Sequence, residues 1–242
     1  MNFLFHRHLA SRDAGSAIAG FGAMLPDLWR MADRRLKPRP ATAAGPRGRR
    51  LATLGERMEE AGKLEALLWG VEHHLAVDDL FHRGELLSEG EKVATRLLKE
   101  AAIGGDKVLL FGHVAWEICL DGALLRRFGL ATTKEGLRRE LAALGPEALE
   151  AALRHHTPEL PAADRRAADA QILGMLHQLV WGEWIDGYLS GIGITHRLDG
   201  VRRRLRLAPL AAEDQRKCAG ALDLLLEFAD RQLDAALALR LG

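Results

Sequence analysis

Beyond residue 55 the chain consists of long segments in which apolar residues return every three or four positions, and the Val/Ile/Thr alternation of strands is sparse. Such a pattern produces helices with one apolar stripe, which must bury their stripes against one another. Leu, Ala, Glu and Arg dominate, and all four favour helix. The periodicity predicts helices over 56–82, 88–102, 107–128, 134–143, 146–155, 163–190 and 210–240, with a shorter basic helix across 194–207. A further helical pattern runs through 14–33, where Pro26 starts a new turn or kinks the helix. Gly104-Gly105, Gly129, Gly145-Pro146 and Pro158 with Pro161 mark turns. With 242 residues, 48% of them hydrophobic, the chain can build a sizeable core. The expected fold is all-α, a single helical domain spanning residues 1–242. Residues 37–50, with three prolines, two glycines and Lys37, Arg39, Arg47, Arg49 and Arg50, have little to bury. They are expected to form a flexible basic loop inside that domain, because the segment before them is too short to fold alone.

Several classes of function are disfavoured. A formal net charge of +1 provides no overall field for nucleic acid. Cys119 and Cys218 lie far apart, with neither a disulfide framework nor metal-ligand spacing, and are expected to be ordinary reduced thiols. The apolar start is too short for a signal peptide and is broken by His6, Arg7 and His8. No apolar stretch is expected to reach membrane-spanning length, and a cytoplasmic location is expected.

The informative feature is where charge falls on two of the helices. At about 100° per residue, His74, Asp78 and His82 lie within roughly 80° of one another. Leu64, Leu67, Val71, Leu75 and Phe81 share or flank that sector, whereas Glu65, Glu72, Asp79 and Arg83 lie opposite. His113, Glu117 and Asp121 repeat the i, i+4, i+8 spacing on a second helix, beside Leu110, Val114, Leu124 and Phe128. Burying an unpaired carboxylate is costly, so such groups pair or bind a cation. One histidine on an apolar face is usually a satisfied core residue. Two triplets favour a metal or catalytic site over a structural polar network. Imidazoles together with carboxylates suit zinc, manganese or iron better than calcium. Helical bundles build such sites in their cores from several helices.

Other candidates are weaker alone. His6 and His8 share a side only if their segment is extended, and diverge on a helix. Asp27, after Pro26, suits the first turn of a helix. His155-His156 caps a helix end, His177 is expected in core packing and His196 in solvent. No phosphate-binding glycine loop, Ser-His-Asp set or dinucleotide fingerprint is evident.

Several blocks resemble acyl carrier protein phosphodiesterases. The opening Met1-Asn2-Phe3-Leu4-Phe5-His6-Arg7-His8-Leu9-Ala10 resembles that family's start, Met-Asn-Phe-Leu-Ala-His-Leu-His-Leu-Ala. Ala19-Gly20 through Asp27-Leu28 is similar to its Gly-Asn-Leu-Leu-Ala-Asp-Phe segment, with Asp27 at the aspartate. Gly70-Val71-Glu72-His73-His74-Leu75-Ala76-Val77-Asp78 looks like its Gly-Ile-x-x-His-Arg-Arg-Ile-Asp motif, which places the family histidine at His74 and the aspartate at Asp78. His113-Val114-Ala115-Trp116-Glu117 resembles its Asp-x-x-Trp-Asp block, with histidine and glutamate replacing the aspartates. Gln178 to Tyr188 is loosely similar to a Trp/Tyr-rich C-terminal helix. The blocks keep the family order. Departures are Leu75-Ala76 for Arg-Arg, His82 and His113 where the family favours aspartate, and the insertion at 37–50.

The resemblance implies an all-helical, distantly HD-like metal-binding bundle with a divalent metal, often manganese. It further implies hydrolysis of the phosphodiester joining 4′-phosphopantetheine to acyl carrier protein. The expected ligands are His6, Asp27, His74 and Asp78, joined by His82 and His113. Asp78, His113 and Glu117 are the expected catalytic groups, and the sequence leaves their individual roles open. Both triplets are expected to converge on one ion. An acidic carrier protein would meet positive charge at 37–50 or at Arg197, Arg202, Arg203, Arg204 and Arg206. Alternatives left open are another HD-like or zinc phospholipase-like phosphoesterase, and a catalytically inactive helical binding protein.

Overall fold

The structure, a computed structural model, describes residues 2–36, 38, 60–157 and 160–240. It is all-α, with no strand among the described residues. In chain order the helices are α1 (Phe3–Ala14), α2 (Ala17–Gly22), α3 (Leu25–Ala32), α4 (Glu60–Arg83), α5 (Glu85–Glu100), α6 (Val108–Phe128), α7 (Leu130–His156), α8 (Ala162–Val180), α9 (Gly191–Arg204) and α10 (Ala212–Leu237). Short 3-10 turns occupy Gly105–Lys107 and Ile185–Leu189. Apart from Pro38, the basic loop expected at 37–50 lies outside the described residues.

Pro158 lies outside the described residues; elsewhere the punctuation read from the sequence acts where expected, with two differences. The pattern at 14–33 is two helices: the Ser16 hydroxyl caps α2 by accepting from the Ala19 amide at 3.3 Å, and Pro26 lies in the first turn of α3. α7 breaks at Gly145, whose φ of 70° suits glycine, immediately before Pro146. The first difference is α1, where the apolar run Phe3–Phe5 begins a helix whose aromatic residues are fully buried. The second is the long helix expected over 163–190, which stops at Val180. Gly182 and Gly187 in the stretch that follows lower its helix propensity.

The described residues divide into two compact units. The first comprises Phe3–Leu80 with Lys134–Gly182 and Arg240. Within it α1 packs on α2 and α3 on α8. Three glycines set its closest backbone contacts. A Cβ on Gly20 would lie 1.9 Å from the Ser11 hydroxyl of α1, one on Gly22 would lie 2.3 Å from the Leu67 carbonyl oxygen of α4, and one on Gly70 would lie 2.0 Å from that of Ala19. Backbone therefore lies directly on backbone between α2 and α4, while Gly20 of α2 meets α1 at the Ser11 side chain and the Arg7 carbonyl.

The second unit comprises Asn2, Phe81–Thr133 and Glu183–Leu239. Here α6 packs against α5, α9 and α10. Residues Gly105–Phe128 are long and apolar enough to span a membrane by length and composition, which corrects the sequence expectation. The most apolar window of that stretch is 83% buried inside the protein, as the interior helix of a packed unit must be. Cys119 and Cys218 are free and buried, and burial pushes both thiols up from their ordinary pKa. They are unreactive packing residues.

The glycine contacts make opposite predictions at two helical positions. Gly70→Ala should lower unfolding stability by about 1–3 kcal/mol, because its methyl meets backbone that cannot yield. Gly174→Ala on α8, where a Cβ meets nothing within 4 Å, should raise stability by about 0.5–1 kcal/mol. Urea unfolding of both variants checks this, and equal signs would refute the packing account.

Candidate functional site

The first unit brings His6, His74 and Asp78 together, with ligand atoms within 4.8 Å of one another. His6 comes from α1 and is completely buried, carried inward by its aromatic neighbours. His74 and Asp78 come from successive turns of α4. The imidazoles of His6 and His74 lie 3.9 Å apart between centroids, and His6 Nε2 is 3.8 Å from Asp78 Oδ1. His74 Nδ1 is 2.7 Å from the carbonyl oxygen of Ala23. That oxygen can only accept, so Nδ1 carries the proton and the Nε2 lone pair is available to a cation. Asp78 keeps 31% of its side chain exposed, so the group is open to solvent on its carboxylate side.

Two neighbouring interactions hold these residues. Arg7 makes a two-pronged ion pair with the buried Glu140 of α7, through Nε at 2.9 Å and through Nη2. Gly136 leaves room for this guanidinium, since a Cβ there would lie 2.9 Å from Nη2. The pair fixes the rotation of α1, and His6 with it. On α4, His73 donates from Nε2 to Asp13 at 3.0 Å, while Arg12 donates to the same carboxylate at 2.6 Å. His73 and Asp13 were not predicted. His8, displaced from His6 by the helix, is half-buried, and burial with nearby Arg12 and Arg7 lowers its pKa.

The second unit holds His82, His113 and Glu117, again with ligand atoms within 4.8 Å of one another. A Cβ on Gly90 would lie 2.0 Å from the Trp116 ring, and one on Gly112 would lie 2.4 Å from the Thr95 hydroxyl, so α5 and α6 are in close contact. That contact sets Glu91 against His113, with Nδ1 to Oε1 at 2.5 Å. His113 Nε2 is 3.4 Å from Glu117 Oε1, and the His82 and His113 rings stack at 5.1 Å. Glu91 was not predicted either.

The remaining sequence candidates are placed as follows. Asp27 is partly buried in the first turn of α3, and Asp121 is fully buried on α6; neither belongs to the two groups of three. Arg197 is bound to the carbonyls of Glu183 and Trp184, and Arg202 to that of Ala208, while Arg203 and Arg204 are exposed. His156 is buried beside Trp29. His177, expected in the core, is exposed and lies 4.9 Å from the exposed ring of Trp181.

Each group has the chemistry to hold a metal ion: two imidazoles and one carboxylate in reach of a common centre. Metal–ligand bonds of about 2.0–2.2 Å in a tetrahedron put ligand atoms roughly 3.3–3.6 Å apart. The separations of 3.8 Å in the first group and 3.4 Å in the second are close to that. Among the described residues each group supplies three ligands, which leaves a fourth position in a tetrahedron. No protein-family model, curated protein or solved structure matches this chain.

The Asp13–His73 pair yields a pH prediction. Burial lowers the His73 pKa from its ordinary 6.5, and Asp13 only partly opposes this. Burial alone would raise Asp13, but hydrogen bonds from Arg12 and His73 outweigh it and its pKa falls. His73 thus stays neutral in the fold where the unfolded chain takes up a proton, and stability is lost as pH falls through the unfolded histidine value. The Asp13 contribution persists to lower pH, until the folded carboxylate is itself protonated. The urea midpoint should fall between about pH 7.5 and about pH 5.5, and fall less in His73→Gln. An unchanged drop in the variant would show that His73 does not carry it.

Proposed function

We propose that this chain is a divalent-metal-dependent phosphodiester hydrolase whose ion is held by His6, His74 and Asp78. The observation that carries this reading is the orientation of His74. Its Nδ1–H is committed to the Ala23 carbonyl, so its other nitrogen points a lone pair toward the group that His6 and Asp78 complete. Such an outer hydrogen bond fixes ring orientation and tautomer at metal sites. The same three residues fall on motif positions of the acyl carrier protein phosphodiesterases that the chain resembles, which narrows the chemistry to a phosphodiester.

Bound there, a divalent ion supplies Lewis acidity to a phosphoryl oxygen and lowers the pKa of a water. The chain's own residues do the rest. His6 and His74 orient the site from a dry interior, and the Arg7–Glu140 pair holds α1 in place. Asp78, exposed on one side, meets substrate and solvent and can take the proton from the attacking water. Zinc, manganese and iron all suit this donor set. The finer reading is release of 4′-phosphopantetheine from acyl carrier protein, an acidic partner for which Arg203 and Arg204 supply exposed positive charge.

The test begins with metal-stripped protein reloaded with manganese, zinc or iron(II), assayed on bis(p-nitrophenyl) phosphate and on holo-acyl carrier protein. Asp78→Ala should lose at least about 100-fold in activity and its retained metal while keeping its helical circular dichroism. Asp79→Ala, one residue away and exposed, should stay within about twofold of wild type. Equal losses in both variants, or no metal-dependent hydrolysis of either substrate, would sink the reading. Turnover of the small diester alone would retain the hydrolase and remove the carrier protein.

A further inference from the structure

We infer that His82, His113 and Glu117 form a second metal site, complete within its own unit and taking a zinc-type divalent cation. The argument starts from the proton on His113. Glu91 is a carboxylate 2.5 Å from Nδ1, so Nδ1 carries a proton and donates it. In the neutral ring Nε2 is then a bare lone pair, and it faces a carboxylate oxygen of Glu117 at 3.4 Å. Two acceptors at that distance repel unless something positive lies between them. A second proton on His113 would satisfy the pair alone. It would make no use of His82, which stacks on the His113 ring at 18° between planes and brings a third ligand atom within 4.8 Å of the other two. A cation uses all three donors.

The surroundings fit that role. Glu91, His113 and the shared centre form the carboxylate–histidine–metal arrangement that fixes the tautomer and direction of the imidazole. Glu117 is held in a low-dielectric setting, with 5% of its side chain exposed, where a bound cation offsets the cost of a buried charge. His82 is exposed and 26% of the His113 side chain is open, so the ion can enter from solvent and keep a water in its fourth position. Two nitrogens and one oxygen, with no thiolate, select zinc and its neighbours over calcium or copper(I). None of these residues belongs to the group assigned above to hydrolysis, so the inference stands apart from that reading.

Metal stoichiometry decides it. The full chain, stripped with a chelator, is titrated with zinc against a chromophoric competitor, and with cobalt(II) followed by visible absorption. Wild type should bind two equivalents. Glu117→Gln, which keeps side-chain shape, and His113→Asn should each bind one, with unchanged circular dichroism and the remaining cobalt spectrum matching the His6–His74–Asp78 site. Glu91→Gln should keep two equivalents and weaken one by about 10–100-fold. His74→Ala should lose the other equivalent and leave the Glu91-sensitive one intact. A single equivalent lost only in His74→Ala would overturn the second site and keep the hydrolase reading. A single equivalent lost only in the His113 and Glu117 variants would support the site and remove that reading. A single equivalent lost in all of these variants would refute two separate sites.

Discussion

The first unit depends on the contact of α2 with α4, where two helix backbones meet without side chains between them. Gly22 rests on Leu67 and Gly70 rests on Ala19. Close approach of this kind makes helix positions insensitive to side-chain repacking, because the touching atoms have no rotamers. It also brings the carbonyl at the end of α2 within reach of α4. Ala23, the residue after Gly22, presents its oxygen to His74. With Gly20 the same short helix rests on Ser11 and Arg7 of α1, so α1 and α4 are both registered against α2. Three missing Cβ atoms, together with the Arg7–Glu140 pair, bring His6 to His74.

The second unit repeats the device with different partners. Gly90 lies on Trp116, and Gly112 receives Thr95. The residue after Gly90 is Glu91, which meets Nδ1 of His113. In each unit a glycine-mediated crossing is followed at once by an oxygen on a histidine Nδ1, a backbone oxygen in one and a carboxylate in the other. Nδ1 contacts leave Nε2 as the ligating atom in both. The difference is one of charge: the oxygen on His113 belongs to a carboxylate and the one on His74 to a neutral peptide group. Exposure differs in the same direction, since His6 and His74 are buried while His82 lies at the surface.

Periodicity was enough to find the fold class and five of the six grouped residues, although His82, placed on the apolar side, is exposed. His74 with Asp78, and His113 with Glu117, are i, i+4 pairs, and a helical wheel shows them on the apolar side. Solvent-side assignments held for Glu65, Asp79 and Arg83, all exposed, while Glu72 is half-buried and burial raises its pKa. His6 could not be found that way, because no helix is expected over 1–12 from the sequence; only once α1 forms does His6 lie opposite Arg7, His8, Ser11 and Arg12. It entered through the family resemblance. Glu91, Asp13 and His73 were illegible for another reason. Each matters through a contact made across the fold, over 22 residues for Glu91 and His113 and 60 for Asp13 and His73. On α5 nothing in the sequence separates Glu91 from Glu85, Glu89 or Glu100; only the crossing at Gly90 does. The end of α8 was misread because the apolar pattern continues past Val180, while the glycines that interrupt it weigh little in a periodicity count.

The donor atoms also constrain which ion these groups take. Both cysteines are buried, and burial raises their thiol pKa, so neither offers a thiolate at neutral pH. Neither belongs to a grouped set. That removes the soft ligand through which proteins favour copper(I) and closed structural zinc sites. Two imidazoles are too few oxygens and too much nitrogen for calcium, which takes six to eight oxygen ligands. One carboxylate and two nitrogens leave at least one position unfilled in any geometry of four or more ligands. A site with an unfilled position is one at which a water or a phosphoryl oxygen can bind. The burial of His6 and His74 and the partial exposure of Asp78 determine the side from which it arrives. The hydrolytic reading proposed for the first group uses that open position, since among the described residues no fourth ligand joins His6, His74 and Asp78.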